Sequence, residues 1–415
     1  MSSANGDFKA QLGRSDSPGF LPLTERLKSI LPGQNPYVTG PPLPANSPLF
    51  FGHVQTLYEI LSVLRRPDKP GCVSLLGERR IGKSSLLNQL YQALAREPDL
   101  VSIHATAQDW DQSSQKHFYT HLQRAISVAA GQAVPSEATD YPSFCDFVHS
   151  LARDYRFMLI IDGFEEMAGN PNFDGDFFSN LRALADRPEY RFGYLVSSHR
   201  PLKELCRTYD IVSSLFWNIF GFRHVLGLLS ENGAQALVVE PLRRSLPSKR
   251  PPDWVYFWKN AIEPLTGRHP AFIQMSAAAY WNALGGGYRS DRLLHITMGM
   301  RDYLKDLWDM RSQEERDILI RAAAGNKVPR GPVPDDLIQR GLLTPDGKPF
   351  SRLFGEVIAD CLPKGKSLQE ALEDLEKGAG LAAKLFKPIL DLAEMAGKLR
   401  RAFKNPKKGE EESDS

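Results

Sequence analysis

The sequence predicts an α/β fold: a three-layer α/β/α sandwich with a parallel sheet, followed by an α-helical lid and a winged-helix domain. The stretch Gly77–Ser84 fits the phosphate-binding pattern G-x-x-x-x-G-K-[ST], the P-loop, at every position. Apolar runs of strand length alternate with amphipathic helical stretches from about residue 48 to residue 225. Beyond them the pattern changes to short helices, which predicts smaller helical domains.

The composition is that of a globular protein rather than of a special class. The 415 residues are 42% hydrophobic and 24% charged, with a net charge of +2, so any basic surface must be local. The four cysteines are far apart in the sequence, which argues against a zinc site or a disulfide framework. We find no signal-peptide pattern and no apolar run of membrane-spanning length, and we expect a cytoplasmic protein.

Shifts in composition divide the chain into five predicted segments. A Ser-, Gly- and Pro-rich beginning predicts a flexible segment, and a charged end follows the last amphipathic stretch. The predicted segments are 1–46 (flexible), 47–227 (P-loop NTPase domain), 228–300 (helical lid), 301–363 (winged helix) and 364–415 (amphipathic helix and charged tail).

The P-loop has the sequence context that its chemistry requires. Residues 72–76 form a predicted buried strand, and helical spacing follows from residue 84. Glycines let the backbone N–H groups surround a phosphate at the positive end of the helix dipole. Lys83 is expected to reach the β- and γ-phosphates, and the Ser84 hydroxyl to bind Mg²⁺. We therefore predict an ATP/ADP site formed by Gly77, Arg80, Ile81, Gly82, Lys83, Ser84 and Ser85.

A second motif is the apolar run 156–161 that ends in Asp162. Such a run predicts a fully buried parallel strand, and the carboxyl ends of these strands are where α/β sheets bind ligands. Asp162 is then placed to hold Mg²⁺ opposite Ser84. Glu165 or Glu166 could orient the attacking water as a general base; the alternative is a merely acidic turn.

The next predicted strand, 191–196, ends in polar and cationic residues. A guanidinium is always charged and can bind phosphate with two hydrogen bonds. We therefore predict that Arg200 senses the γ-phosphate and that His199 is a bystander.

The lid is predicted as three helices. Ser230 can cap the first, which we expect to stop at Glu240–Pro241 because proline disrupts a helix interior. A second helix is expected around 254–262. The stretch Gly267-Arg268-His269-Pro270 precedes the third, longer helix.

The winged helix is predicted from a capping box at Ser312, a helix over 316–324, a second helix over 333–340 and a hairpin around the turn 345–348. The second helix carries Asp335 and Asp336 against a lone Arg340, whereas binding to DNA phosphates needs Lys and Arg. The pattern favours packing against protein over DNA recognition.

The tail carries an apolar stripe at helical spacing between residues 385 and 403, with Pro388 breaking or kinking it. Basic residues follow from Lys398 to Lys408, and acidic ones end the chain. A basic amphipathic helix can bind an anionic membrane or a partner groove. An oligomerising or self-packed helix is the alternative that we favour.

Residues 35 to 362 together resemble the STAND class of P-loop NTPases, the signal-transduction ATPases within the AAA-like group. The resemblance is carried by Asn35-Pro36-Tyr37, Phe50-Phe51-Gly52, the P-loop through Leu87, Asp162-Gly163-Phe164-Glu165-Glu166 and Gly267-Arg268-His269-Pro270. The acidic motif is similar to that of the NACHT branch, in which a small residue follows the Mg²⁺-binding Asp.

The resemblance implies roles for several residues. The Gly52 region and Pro270 would flank the adenine, His269 would approach the phosphates, and Ser197, Ser198 or Arg200 would sense the γ-phosphate. Two positions depart from related sequences: Gly163 stands where many AAA-type ATPases have Glu, and His53 where Arg is usual. The first departure implies either that Glu165 or Glu166 has taken over or that hydrolysis is slow.

The resemblance also implies a switch, in which ADP holds the domains closed and ATP exchange leads to self-association. Three hypotheses follow: a STAND-type ATP-dependent switch with an unknown protein partner, a DNA-associated AAA-type loader or transposition helper, and an adaptor whose tail docks on a membrane or partner. The acidic second helix of the winged helix argues against the DNA-associated alternative.

Overall fold

The computed structural model describes residues 20–106, 113–246, 252–285 and 291–362. Its contacts divide the chain into two units. The first unit contains Pro42–Ser47 and His53–Gly227, and the second contains Thr24–Pro41, Pro48–Gly52 and the chain from Leu228 onward. The tail prediction for 364–415, including its membrane and partner alternatives, lies outside the described residues.

A sheet of five parallel strands forms the centre of the first unit, which confirms the predicted α/β fold. The strands are β1 (Val73–Gly77), β2 (Leu100–Thr106), β3 (Arg156–Asp162), β4 (Phe192–Ser198) and β5 (Phe222–Leu226). Their order in the sheet is β2-β3-β4-β1-β5. Strands β1, β3 and β4 are buried along almost their whole length, as continuous apolar runs covered on both faces must be.

The register of the sheet brings the carboxyl ends of three strands together. Ile161 of β3 pairs with Val196 of β4, and Leu76 of β1 pairs with Ser198. The tip of β4 therefore lies between the acidic end of β3 and the start of the P-loop. This is the edge at which α/β sheets bind ligands.

Helices cover the sheet of the first unit. An aromatic-rich core fills one side, with Phe118, Phe144, Phe177 and Phe178 all fully buried. Helix α1 (Leu23–Leu27) belongs, from Thr24 onward, to the second unit. The helices of the first unit are α2 (Val54–Leu64), α3 (Lys83–Leu94), α4 (Gln115–Ala129), α5 (Tyr141–Leu151), α6 (Phe164–Ala168), α7 (Gly175–Asp186) and α8 (Leu202–Thr208).

The second unit is helical, as predicted. Its helices after residue 228 are α9 (Glu231–Ser245), α10 (Trp254–Phe257), a π-helical turn (Trp258–Ile262), α11 (Glu263–Thr266), α12 (Pro270–Gly285), α13 (Asp291–Asp309), α14 (Gln313–Ala323), α15 (Pro332–Gln339) and α16 (Arg352–Asp360).

The expected end of α9 at Glu240–Pro241 is wrong, because the helix continues through Pro241 to Ser245. The Pro241 carbonyl accepts a hydrogen bond from the Ser245 hydroxyl, and that hydroxyl in turn accepts one from the Trp281 indole. The Ser245 carbonyl accepts one from the Gly33 N–H. These partners hold the last turn after proline has removed one donor.

The order helix, helix, hairpin and helix is found between residues 313 and 360. The predicted capping box is present, with Ser312 accepting from Glu315 N–H and Glu315 accepting from Ser312 N–H. The hairpin is reduced to a single antiparallel bridge between Leu343 and Pro349. The name winged helix stays an interpretation of this order.

Of the segment expected to be flexible, 1–46, residues 1–19 lie outside the described residues, and the remainder has contacts from residue 21 onward, where the Leu21 N–H donates to Asn46 Oδ1. Within the second unit, Tyr37 is buried and its hydroxyl donates to the Val238 carbonyl. Within the first unit, residues 42–47 bind to α3. The domain boundaries themselves stay predictions. In the described part of the chain, no helix combines the length and the apolar character needed to cross a bilayer.

Candidate nucleotide site

The P-loop joins β1 directly to α3. Gly82 precedes the helix with φ 108°, and a Cβ there would meet nothing within 4 Å, so open space lies beside it. At Gly77 a Cβ would lie 2.8 Å from the Leu226 carbonyl oxygen, so only glycine fits between the loop and β5. Backbone N–H groups at the start of α3 thus border a space that suits a phosphate.

Lys83 lies in this loop with its ammonium group held by the loop itself. Its Nζ donates to the carbonyls of Gly77 at 2.8 Å and Glu78 at 3.0 Å. Burial lowers the pKa of Lys83, and the carboxylates of Glu165, Glu78 and Asp162 oppose this shift. The half-buried cation thus has acidic groups around it, the surroundings expected of a lysine that binds phosphate.

Other predicted loop residues have different surroundings. Ile81 is buried, while Arg80 is exposed in the left-handed conformation with φ 58°. The Ser85 hydroxyl accepts a hydrogen bond from the Leu43 N–H at 2.9 Å. Ser85 therefore anchors the N-terminal segment in this structure, a role that its motif position does not reveal.

The predicted Mg²⁺ ligands, Ser84 and Asp162, are half-buried. Within the described residues no group of three or more His, Cys, Asp and Glu side chains could hold a metal ion. A hydroxyl and one carboxylate nevertheless fit Mg²⁺, which in nucleotide sites takes most of its ligands from phosphates and water. The Mg²⁺ role of Ser84 and Asp162 stays a prediction.

Ser197, near the carboxyl end of β4, makes hydrogen bonds to the acidic end of β3. The Ser197 hydroxyl donates to Asp162 Oδ1 and also accepts from the Gly163 N–H at 3.1 Å. Gly163 adopts φ 83°, which is suited to glycine, and begins α6 immediately after Asp162. Ser197 thus fixes both the carboxylate and the turn that follows it. Ser198 is fully buried, and its hydroxyl has no hydrogen-bond partner among the described residues.

Glu165 is held by the residues that follow β4. Its Oε1 accepts from His199 Nδ1 at 2.8 Å, from the His199 N–H and from the Arg200 N–H. Burial raises the pKa of Glu165, but hydrogen bonds and charge from His199 outweigh it, so the net pKa is lowered. A carboxylate with three donors on one oxygen and a lowered pKa is a poor proton acceptor.

The other predicted catalytic residues lie outside this cluster. Glu166 is exposed in the first turn of α6. The Arg200 side chain is 41% exposed and pairs with Glu204, with Nε 2.9 Å from Oε1. The structure thus gives His199, expected to be a bystander, the contact with the acidic cluster, while the Arg200 guanidinium pairs along α8.

His269 and Pro270 belong to the second unit. Pro270 begins α12. His269 is buried, and its ring stacks on Phe272 with 4.3 Å between centroids and lies 5.8 Å from that of Phe350. A Cβ at Gly267 would lie 2.1 Å from the Phe350 carbonyl oxygen, so this glycine has a packing role. The nucleotide roles of His269 and Pro270 stay predictions.

His53 also has distinctive surroundings. It precedes α2 with φ 55°, and its buried Nε2 has no hydrogen-bond partner among the described residues. Burial, aided by the charge of His224, lowers the pKa of His53 to about 4. The chain therefore has, just before α2, a histidine that is neutral at neutral pH.

Comparison with known proteins agrees with the P-loop geometry. Residues 65–204 match a family described as an AAA domain. The structure is similar to a Walker-type ATPase of Pyrococcus abyssi, with a TM-score of 0.52 and 14% identity over 77% of this chain and 98% of that one. No curated protein matches the sequence.

Two further solved structures have lower TM-scores. The Aeropyrum pernix ORC2 protein matches with a TM-score of 0.44 and 13% identity, over 78% of this chain and 95% of that one. AMPPCP-bound DnaA from Aquifex aeolicus matches with 0.39 and 14%, over 84% and 94%. The family match spans the P-loop and the strand that ends in Asp162, so residues 65–204 are similar to an AAA domain, and the likeness to the Walker-type ATPase supports the α/β P-loop fold.

Proposed function

We propose that this protein is a slow, Mg²⁺-dependent ATPase that uses its bound nucleotide as a switch for self-association, in the manner of STAND NTPases. The observation that carries the proposal is that residues at and just after the end of β4 make hydrogen bonds to two acidic residues. Ser197 holds Asp162, and the segment His199–Arg200 holds Glu165. Two acidic residues near Lys83 are thus tied to the residues that lead directly into α8.

This arrangement provides a physical basis for switching. A γ-phosphate and its metal ion would change the charge beside Asp162 and Glu165, and the hydrogen bonds would pass that change to β4 and α8. Slow turnover is supported by two features: Gly163 provides no carboxylate, and Glu165 is engaged by three donors.

The test is the mass and shape of the protein in ADP and in a non-hydrolysable ATP analogue. We expect a larger assembly with the analogue for the wild type and none for Lys83→Ala, measured by light scattering after size exclusion. Wild-type mass that is identical in the two nucleotides would contradict the switch, while leaving nucleotide binding to be measured separately by calorimetry.

A second candidate is a DNA-associated AAA-type ATPase, as a loader or transposition helper. In the second unit, Arg340 is held by Glu315 at 2.8 Å and Asp336 at 3.0 Å, so α15 offers little to DNA phosphates. The loop before α15 and the turn around Gly347 lie together, since a Cβ at Gly347 would be 3.4 Å from Val328. This region carries the exposed basic residues Arg321, Lys327 and Arg330, whereas Lys348 pairs with Asp346 at 2.7 Å.

Duplex binding through this basic loop would favour the second candidate. The measurement is fluorescence anisotropy of a labelled duplex as salt increases, for the wild type and Lys327→Glu/Arg330→Glu. The matched control is Arg96→Glu/Lys116→Glu, which reverses two exposed charges in the first unit. Equal affinity in all three proteins would exclude this surface as a DNA site.

A further inference from the structure

The arrangement of Gly163, Glu165 and His199 bears on how the attacking water is activated. Gly163, directly after Asp162, provides no carboxylate that could accept a proton from water. Glu165 is the nearest acidic replacement in sequence within α6, yet its Oε1 is already occupied by three donors from the residues after β4.

The Glu165–His199 contact is a built pair. The two side chains are 14% and 17% exposed, and Glu165 Oε1 lies 2.8 Å from His199 Nδ1. The same oxygen also accepts a hydrogen bond from the backbone N–H of His199. Glu165 therefore holds both the backbone and the ring of His199. A histidine whose Nδ1–H donates to a carboxylate keeps the lone pair of Nε2 as an acceptor when the ring is neutral.

The sheet register places this pair at the phosphate loop. Leu76 pairs with Ser198 in β1 and β4, so the next residues along the two strands are Gly77, the first residue of the P-loop, and His199. Within the same cluster Ser197 contacts Asp162, the predicted Mg²⁺ ligand. His199 therefore lies one residue beyond the contact with Asp162 and beside the beginning of the phosphate loop.

We propose that His199 is the general base of ATP hydrolysis in this protein and that Glu165 is the residue that positions it. This rests on the proposed assignment of the P-loop as the ATP site. The water oxygen attacks the γ-phosphorus, its proton moves to His199 Nε2, and the bond from the γ-phosphorus to the bridging oxygen breaks with its electron pair left on ADP. The proton then leaves the imidazole for solvent or the released phosphate.

The deciding variant is His199→Asn. The asparagine amide nitrogen can occupy the place of Nδ1 and keep the hydrogen bond to Glu165, but nothing replaces Nε2. We expect kcat to fall about 100-fold, as for loss of a general base, with ADP affinity and melting temperature near the wild-type values. A rate within threefold of wild type would overturn the proposal, because it would show that His199 only holds Glu165 in place by hydrogen bonds.

Further variants complete the experiment. Glu165→Gln should also lower kcat, and combining it with His199→Asn should reduce the rate little further, because the two residues act as a unit. Glu166→Gln tests the other glutamate that the sequence predicts as a base. The control is Arg96→Ala, which changes an exposed residue outside the cluster and should remain within threefold of the wild type. A 100-fold loss in Glu166→Gln, with His199→Asn active, would assign the base to Glu166 instead.

Lys83→Ala separates this proposal from the one on which it rests. If Lys83→Ala abolishes turnover and His199→Asn leaves it unchanged, only the assignment of His199 is wrong. If Lys83→Ala itself hydrolyses ATP at the wild-type rate, the P-loop is not the hydrolytic site and both proposals are wrong.

Discussion

At the carboxyl end of the sheet, carboxylates collect around one half-buried lysine, whereas at the amino end two arginines bind loop carbonyls. Arg156, at the start of β3, makes two hydrogen bonds to Asp99 at 2.7 and 2.8 Å and one to the Arg66 carbonyl at 2.9 Å. Arg191, just before β4, donates to the carbonyls of Pro67 and Asp68. These guanidiniums join the strands to the loop before β1.

The difference lies in whether the local charges are balanced by the protein. At the amino end the cations meet carbonyls and a carboxylate in close geometry, so these contacts stabilise the fold. At the carboxyl end Lys83, Glu78, Asp162 and Glu165 lie near one another, and burial of Lys83 carries a desolvation cost that lowers its pKa. Groups arranged at a cost to folding are typical of functional sites.

The largest expected effect is the loss of ATP affinity in Lys83→Ala, a change at the carboxyl end of the sheet. Removing the ammonium group that is placed for the phosphates should weaken ATP binding by about 100-fold or more, which is about 2.7 kcal/mol. Because burial of Lys83 is costly, the melting temperature should be unchanged or higher. Calorimetry and thermal unfolding measure the two quantities. A clear loss of stability without loss of ATP affinity would remove the distinction between the two ends of the sheet.

The matching change at the amino end is Arg156→Met. It leaves Asp99 without its partner, but the Asp99 side chain is 45% exposed and can be hydrated. The free energy of unfolding should therefore fall by about 2 kcal/mol, less than the loss on breaking a fully buried pair. Urea unfolding gives this value. ATP affinity should stay within twofold, and a tenfold change in it would show that the two ends are coupled.

The pH dependence of stability sharpens the comparison. The pKa of Glu165 is lowered in the folded protein, so its contribution is present above the unfolded pKa and is lost as the pH falls through the folded pKa. Glu165→Gln should therefore make unfolding free energy less dependent on pH below about 4.5. Asp99→Asn should do the same in this acidic range, because hydrogen bonds from Arg156 lower the pKa of Asp99. Urea titrations between pH 3 and 6 measure both slopes.

The smallest expected effect is that of Arg200→Ala. Its guanidinium forms an exposed pair with Glu204 four residues along the chain, and such pairs contribute from 0 to about 0.5 kcal/mol. Stability and turnover should both stay close to those of the wild type. A loss of turnover above tenfold would return Arg200 to the role in sensing phosphate that its sequence position predicts.

Much of the fold could be predicted because single residues or short runs determine it. The run 156–161 is too apolar to be anything but buried, and Gly77–Ser84 determines a loop and the start of a helix. Strand β5 is harder to recognise, since Phe222–Leu226 is short, carries Arg223 and His224, and is only partly buried. The continuation of α9 past Pro241 depends on partners from residues 33 and 281, which local patterns do not contain.

In the candidate site, too, the contacts between residues far apart in the sequence could not be predicted from local patterns. The sequence indicated Lys83, Ser84 and Asp162 from spacing alone, since each position belongs to a known motif. The Glu165–His199 contact joins residues 34 positions apart through the pairing of β3 with β4. A guanidinium is in general a better phosphate ligand than an imidazole, but the Arg200 side chain pairs with Glu204 four residues along the chain.

The binding of residues 42–47 to α3 has a practical consequence for anyone choosing a minimal catalytic fragment. Leu43 N–H donates to the Ser85 hydroxyl, Asn88 donates to the Leu43 carbonyl, and Gln89 contacts both Pro44 and Asn46. A fragment beginning at residue 48 would retain every nucleotide-binding motif, yet it would leave these three side chains of the P-loop helix without those backbone partners. Kinetic measurements on such a fragment would describe a differently anchored helix.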